Sequence, residues 1–322
     1  MEGRGSKLNI VTTLTVNEKK KNELIGLFNG DTFHFFSTVE EAYDKLEEAE
    51  VLVTYGDDIN LDVLKEAKKL RWIMVMSAGI DKLPFQEIKK RNILVTNVRG
   101  IHKIPMAEYT LSMMLQVSKH LKSVFDQEKN HEWKRLSMNE LYQRNVCIIG
   151  VGAIGGQIAK LCKSLGMNTY GINTSGKEVE FVDEVGKLDR LEDFLAHADF
   201  VVSILPSTED TRYILTKRHF QLMQETSIFI NIGRGDVIRE STLLEVMNEK
   251  LISHAVLDVF ENEPLEEDHP FWKMENVTVT PHISSITSRY LPRAFAIFEE
   301  NLRTYKTGGK ILLNQVNLDR GY

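Results

Sequence analysis

The sequence predicts an α/β protein made of two doubly wound domains, each built on a parallel sheet. Three observations predict it. Short β-branched runs alternate with helical patterns along the chain, a G-x-G-x-x-G turn joins one such run to a helix near mid-chain, and 322 residues suffice for two domains that each bury a core. With 42% hydrophobic and 27% charged residues, the composition is that of a soluble globular protein.

The first hundred residues hold strand candidates at "LNIVTTL", "TFHFF", "VLVTY", "WIMVM" and "ILVTN". Between them lie the helix-like segments "VNEKKKNELIGLF", "TVEEAYDKLEEA" and "LDVLKEAKKL", so the region reads as one parallel sheet with crossover helices. A long helix is expected from Pro105, well placed in a first turn, through "MAEYTLSMMLQVSKHLKSVFDQ". Its Met106, Met113 and Met114 read as packing rather than as ligands. A second series follows with "NVCIIG", "NTYGIN", "ADFVVSIL", "SIFINIG", "SHAVLDVF" and "NVTVTP". The tail "PRAFAIFEENLRTYKTG" is again helical and able to return to the first unit. "MEGRGS", residues 1–6, looks like an expression scar and is set apart from the fold.

Forty basic and 46 acidic residues leave a net charge of -6 with no Lys/Arg cluster of the kind that tracks a phosphate backbone, which argues against nucleic acid as a partner. "KKK" at Lys19–Lys21 and "EVEFVDEVGK" read as solvated faces. No apolar stretch reaches the ~18 residues of a membrane span and no signal-peptide pattern opens the chain, so no membrane partner is expected. Cys147 and Cys162 fall in packed elements without metal or disulfide spacing, and a cytoplasmic, reducing location fits them.

"NVCIIGVGAIGGQIAKLCKSLG" places Gly150, Gly152 and Gly155 between an apolar strand and an amphipathic helix. That context turns a weak motif into a dinucleotide-binding expectation. Glycines allow a tight turn and a close approach to a pyrophosphate, and the helix start at Ala153 and Ile154 offers free N–H groups. The bland reading is a glycine turn needed only for packing.

Three polar residues follow later strand candidates: Arg234 after "SIFINIG", Glu263 after "HAVLDVF" and His282 after "NVTVTP". If those strands run parallel to the one ending at Gly150, all three emerge at the edge where open α/β sheets bind ligands. Arg234 can grip a carboxylate with two hydrogen bonds. His282 can move a proton, and a glutamate partner stabilises its protonated form. Singly, each has an ordinary alternative as a surface charge, a turn or a structural histidine. Together they read as 2-oxo acid reduction, with hydride from a nicotinamide and a proton from His282.

Here the sequence resembles the D-isomer-specific 2-hydroxyacid dehydrogenase family over nearly its whole length. The resemblance is carried by "GVGAIGGQIAK", "ILPSTEDTRYIL", "INIGRGDVIREST", "LDVFENEPL" and "TVTPHISS", with "MSAGIDKL", "NVRGIHKIPMAEYTLSMML" and "NQVNLDRGY" outside them. It implies that Arg234 binds substrate, that Glu263 orients His282, and that His282 is the general acid/base. It implies further that Asp258 holds the nicotinamide carboxamide, and that N–H groups of Ser77, Ala78 and Gly79 take the substrate carboxylate. Leu205, Pro206, Thr211, Ile232 and Gly233 match positions lining the cofactor, while Ser207 departs from the bulkier residue often found there. The implied architecture is two Rossmann/flavodoxin-like domains with an interdomain active-site cleft. The substrate domain is discontinuous, 7–104 plus 290–322, and the dinucleotide domain is 105–289, with hinges near Ile104–Pro105 and Ser284–Tyr290. The helix after Pro105 belongs to the usual dimer contact of the family, so a homodimer is expected.

"GINTSGK", just over twenty residues beyond the glycine turn, carries Asn173, Thr174, Ser175 and Lys177 where an NAD-binding protein offers an acid to the ribose. Asn173 removes the repulsion of a 2′-phosphate, and Lys177 can add a positive charge. NADP(H) is therefore favoured, with NAD(H) still open if Asn173 bonds the ribose. "SAGID" and "RGIHKIPM" suggest an apolar wall near Ile80, Ile101 and Met106. A dinucleotide-sensing binding protein with vestigial catalysis is the alternative on the same fold; intact Arg234, Glu263 and His282 argue against it. Formate oxidation is a further alternative, and it needs no proton transfer from the Glu263–His282 pair.

Overall fold

The computed structural model describes residues 7–80, 82–309 and 312–318; the "MEGRGS" opening, Asp81 of "MSAGIDKL" and the end of "NQVNLDRGY" lie outside the described residues. The chain divides into two compact units, one formed by residues up to Ile101 together with those from Ser288 onward, the other by His102–Thr287.

The first unit carries a five-stranded sheet of β1 (Asn9–Thr13), β2 (Thr32–Phe36), β3 (Val51–Thr54), β4 (Trp72–Val75) and β5 (Leu94–Asn97). Its order is β2-β1-β3-β4-β5, and every neighbouring pair is parallel. Parallel neighbours need crossovers, supplied by α1 (Glu18–Leu27), α2 (Tyr43–Leu46), α3 (Leu61–Glu66) and α4 (Phe85–Lys90). Asn17 and Asn60 cap α1 and α3 by accepting hydrogen bonds from first-turn N–H groups. Strand alternation feeds two cores: Val11, Leu52, Ile73 and Val95 pack on one face, and Ile10, Val53, Trp72 and Met74 on the other. Of the expected helix "TVEEAYDKLEEA", only Tyr43–Leu46 is α-helical.

The second unit opens with α5 (Lys103–Ser118) and α6 (Leu121–Lys129). The single long helix expected from Pro105 is therefore two helices. The break is His120, at φ 50, so the chain turns after Ser118 and no residue of α6 is buried. There follow β6 (Asn145–Ile149), α7 (Ala153–Ser164), β7 (Asn168–Ile172), β8 (Glu184–Gly186), α8 (Leu191–Leu195), β9 (Phe200–Ser203), α9 (Lys217–Leu222), β10 (Ile228–Asn231), α10 (Glu240–Asn248), β11 (His254–Leu257) and β12 (Val277–Val279). The sheet is wholly parallel in the order β12-β11-β10-β9-β6-β7-β8. The edge strand β8 lies within the stretch read as a solvated face; three residues on a sheet edge leave too little apolar pattern to register. One face of this sheet packs Ile149, Val201, Phe229 and Leu257 on the helices α8, α9 and α10, and the other packs Ile148, Val202, Ile230 and Val256 on α5 and α7.

The last helix, α11 (Tyr290–Lys306), returns to the first unit, where Ala294, Phe295, Phe298 and Leu302 join the core of Ile10, Val53 and Trp72. Among the described residues, no helix is long and apolar enough to cross a membrane.

Candidate active site

Because the seven-stranded sheet is wholly parallel, the segments that follow β6, β7, β9, β10, β11 and β12 leave from one edge. Strand order reverses at β6, with β7 on one side and β9 on the other, and such a switch point opens a crevice for ligand. The glycine turn, Asn173–Lys177, Leu205–Thr211, Ile232–Arg234, Asp258 and His282 all belong to this edge. Ser77–Gly79 follows β4, at the corresponding edge of the five-stranded sheet.

Gly150 sits at φ 99, a conformation that favours glycine, and it turns the chain from β6 into α7. Ala153, Ile154 and Gly155 form the first turn of that twelve-residue helix, which has no acidic residue in its first turn. A Cβ built on Gly152 would meet nothing within 4 Å. The backbone is therefore bare where α7 begins, and its free N–H groups suit the pyrophosphate of a dinucleotide.

The turn after β7 is closed by Asn173 itself. Its Oδ1 accepts from the N–H groups of Ser175 at 3.0 Å and Gly176 at 2.6 Å and from Ser175 Oγ at 3.1 Å, and its Nδ2 donates to the Lys177 carbonyl at 3.0 Å. An amide so engaged is spent on the turn. Thr174, Ser175 and Lys177 are exposed around it.

Arg234 is held by contact between loops. A Cβ on Gly233 would lie 2.6 Å from the Leu205 carbonyl oxygen, and one on Gly235 would lie 1.9 Å from the Phe260 carbonyl carbon, so the segments after β9, β10 and β11 touch backbone to backbone on either side of Arg234. Buried Asn231 closes the loop: its Nδ2 donates to the Arg234 carbonyl at 2.9 Å and its Oδ1 accepts from Gly233 N–H. The exposed guanidinium donates one bond, to the Gly233 carbonyl at 2.8 Å. Its other donors meet no partner among the described residues. Ile232 is buried beneath this loop; Thr211 Oγ1 accepts from Thr208 N–H at 2.9 Å and donates to the Pro206 carbonyl, shaping the Leu205–Pro206 segment.

His282 and Glu263 meet. Glu263 Oε2 lies 2.7 Å from His282 Nδ1, and Oε1 accepts from Phe260 N–H at 3.0 Å. A carboxylate on Nδ1 fixes the tautomer and aim of the ring, leaving Nε2, which meets no partner among the described residues, to work. The His282 backbone sits at φ 52, a region few non-glycine residues adopt. Asp258 holds it there. The His282 N–H donates to the Asp258 carbonyl at 2.9 Å, while the fully buried Asp258 carboxylate accepts from Thr280 Oγ1, Ile283 N–H and Ser284 N–H at 2.6, 2.9 and 2.9 Å. A carboxylate offers about four acceptor positions, so about one is left for a ligand.

In the first unit the loop after β4 turns all its carbonyls to donors. Met76 O accepts from the Tyr290 hydroxyl at 2.6 Å, Ser77 O from Val98 N–H, Ala78 O from Asn97 Nδ2 at 2.9 Å and Gly79 O from Ser77 Oγ at 2.6 Å. The N–H groups of Ser77, Ala78 and Gly79 meet no acceptor among the described residues. Successive unengaged N–H groups make an anion cradle.

Asn231 and Thr280 in the second unit, and Asn97 and Tyr290 in the first, thus shape these loops without having been given a role in the sequence; Asn231 and Asn97, each a polar residue closing an apolar strand, carried a signal there. The expected apolar wall is overturned, because Ile80, Ile101 and Met106 are each buried in a different hydrophobic core. Cys147 and Cys162 are buried free thiols, and burial pushes both up to about 12. They stay protonated and unreactive.

Comparison with known proteins agrees with this geometry. Residues 111–284 match the model of the D-isomer specific 2-hydroxyacid dehydrogenase, NAD binding domain. The chain is 32% identical over 290 residues to a glyoxylate reductase of Aeropyrum pernix, covering 86% of each. It is 33% identical over 285 residues to a D-3-phosphoglycerate dehydrogenase of Methanocaldococcus jannaschii, covering 87% of this chain but only 54% of that longer relative. Among solved structures, a D-isomer specific 2-hydroxyacid dehydrogenase family protein of Aeromonas salmonicida superposes with a TM-score of 0.85 at 31% identity, covering 98% of this chain and all of that one. An NADPH-dependent glyoxylate/hydroxypyruvate reductase of Sinorhizobium meliloti, solved with NADP and sulfate, gives 0.79 at 27% identity with the same coverage. With a nucleotide-binding edge of this form and matches spanning most of the chain, the protein belongs to the D-isomer-specific 2-hydroxyacid dehydrogenases, NAD(P)-binding oxidoreductases.

Proposed function

We propose that the protein reduces small 2-oxo acids of the glyoxylate and hydroxypyruvate class to D-2-hydroxy acids, with NADPH preferred over NADH. The observation that carries the reading is the 2.7 Å bond that Glu263 accepts from His282 Nδ1, on the sheet edge that bears the glycine turn and Arg234. Relatives named for glyoxylate or hydroxypyruvate reduction support this choice of substrate class.

Arg234 grips the substrate carboxylate with the two-pronged geometry that only a guanidinium offers. In the first unit, the unengaged N–H groups of Ser77, Ala78 and Gly79 make a cradle that suits a carboxylate. The substrate carbonyl accepts a hydrogen bond from His282 Nε2–H. A nicotinamide cofactor, when bound at this edge, would supply the hydride that the carbonyl carbon needs. As negative charge grows on the oxygen, His282 gives up its Nε2 proton, while Glu263 keeps the ring aimed. In the oxidative direction the same nitrogen accepts the hydroxyl proton. Asp258 presents its remaining acceptor position to the nicotinamide carboxamide. The bare turn at Gly150–Gly155 takes the pyrophosphate, with Leu205, Pro206, Thr211, Ile232 and Gly233 along the cofactor path.

The cofactor preference follows from the turn after β7. No carboxylate stands there to accept from a ribose, and Asn173 is spent on the turn. Ser175 spends its hydroxyl and its N–H on Asn173, and exposed Thr174 and Lys177 are left beside the position as donors, which suits a 2′-phosphate; relatives solved with NADP or NADPH share this fold. The protein works as a homodimer. Phe125, Trp133, Met138 and Tyr142 are all exposed on α6 and the segment behind it, Trp133 to 95%, and such apolar exposure calls for a partner surface.

Initial rates with glyoxylate, hydroxypyruvate, pyruvate and 2-oxoisocaproate, each with NADPH and NADH, test the proposal. Turnover concentrated in the NADPH column for glyoxylate and hydroxypyruvate supports it. Equal efficiency with both cofactors removes the preference, and no turnover with either, despite measured cofactor binding, removes the function.

A further inference from the structure

We infer that Tyr109 on α5 is a positioning residue for His282, acting through Thr280 and Asp258; this rests on the reading of His282 as the acid/base. The Tyr109 hydroxyl lies 2.6 Å from Thr280 Oγ1, which in turn lies 2.6 Å from Asp258 Oδ1. The Asp258 carboxylate accepts from two backbone N–H groups as well, so Thr280 must spend its single proton on it. Tyr109 is then the donor to Thr280. The proton order is fixed along the chain, from Tyr109 to Thr280 to Asp258. Burial drives the Tyr109 phenol far above its usual range, which keeps that terminal donor protonated at every working pH.

The far end of this chain is the turn that carries the imidazole. Asp258 takes the N–H groups of Ile283 and Ser284, just beyond His282, and its carbonyl takes that of His282. A backbone at φ 52 with a bulky side chain depends on such bonds to stay where it is. Tyr109 supplies a fixed origin for them: it packs against the core shared by α5, α7 and the sheet. Hydrogen bonds in series polarise one another, so loss of the first weakens the grip of the last.

Tyr109→Phe keeps the ring and removes the hydroxyl; Thr280→Val keeps the shape and removes the middle link. Their kcat, KM and thermal midpoint, on the 2-oxo acid that wild type reduces fastest, are measured with the double variant and His282→Ala alongside. Amide hydrogen exchange across 280–285 is followed in each. Tyr109→Phe is expected to lower kcat about tenfold at nearly unchanged KM and midpoint, since displacing a reacting group by ~1 Å already costs about 10²-fold. Exchange at 282–284 should speed up. Thr280→Val should cost more, and the double variant no more than Thr280→Val alone, because without Thr280 the Tyr109 hydroxyl has nothing to act through. Wild-type kcat and exchange in Tyr109→Phe, or losses that multiply in the double variant, would overturn the inference. If His282→Ala keeps wild-type turnover, it is the assignment of His282 that falls, and the exchange data alone decide whether Tyr109 holds the turn.

Discussion

Arg234 shows how much of this site was legible one residue at a time. A charged side chain behind an apolar strand, in a series of parallel strands, is expected at the ligand edge, and the same logic singled out Glu263 and His282, which lie 2.7 Å apart. It gave no role to Asn231, whose amide reaches the backbone of Gly233 and Arg234, or to Thr280, whose hydroxyl reaches the Asp258 carboxylate, because those contacts exist only once the loops have closed. For Arg234→Lys the expected outcome is a KM for the 2-oxo acid raised about tenfold or more, with kcat/KM lowered further, because an ammonium cannot reproduce the planar fork. Steady-state kinetics at saturating NADPH check it; an unchanged KM would mean that the carboxylate is bound elsewhere.

At the scale of elements, strands were the easier reading. Eleven of the twelve observed strands lie within the apolar runs named from sequence, and the twelfth, β8, is a three-residue edge. Helices were harder, since periodicity runs on through His120 although the chain breaks there, and no glycine marks the place. The turn after β7 belongs to this scale too: its missing acid was visible, but the way Asn173 is consumed within the turn was not. Asn173→Asp keeps the bonds from Ser175 and Gly176, and sets a carboxylate beside the 2′-phosphate position. The KM for NADPH should rise about tenfold or more through like-charge contact, with that for NADH falling or holding. Parallel rates with both cofactors decide it. The N-terminal end of β11 gives a pH prediction. Burial, helped by Lys122 and His120, depresses His254 to about 4 from its usual 6.5. Between those values the unfolded chain takes a proton that the folded protein refuses, so stability is full above pH 6.5 and falls as pH drops toward 4. The loss is about 3 kcal/mol from this one group. Thermal unfolding at pH 7 and 4.5 should show it, and His254→Gln should shrink the difference between the two; an unchanged difference would clear His254.

The whole molecule is a pair of units whose sheets obey different orders, each with ligand-facing loops at the carboxyl ends of its strands. Alternation and length made the two-unit plan readable, and the returning tail helix was visible as an apolar periodicity after the last strand. Assembly belongs to the same scale. Trp133→Glu should turn a dimer into a monomer on light scattering, and a dimer that survives the change would take Trp133 out of the contact. The central claim concerns one proton. Turnover of hydroxypyruvate by His282→Ala, measured with NADPH affinity by fluorescence, tests it most directly. The predicted result is a kcat lowered about 10²–10⁴-fold with cofactor affinity little changed, as expected for the loss of a general acid. Turnover close to wild type, with NADPH still bound, would contradict the account.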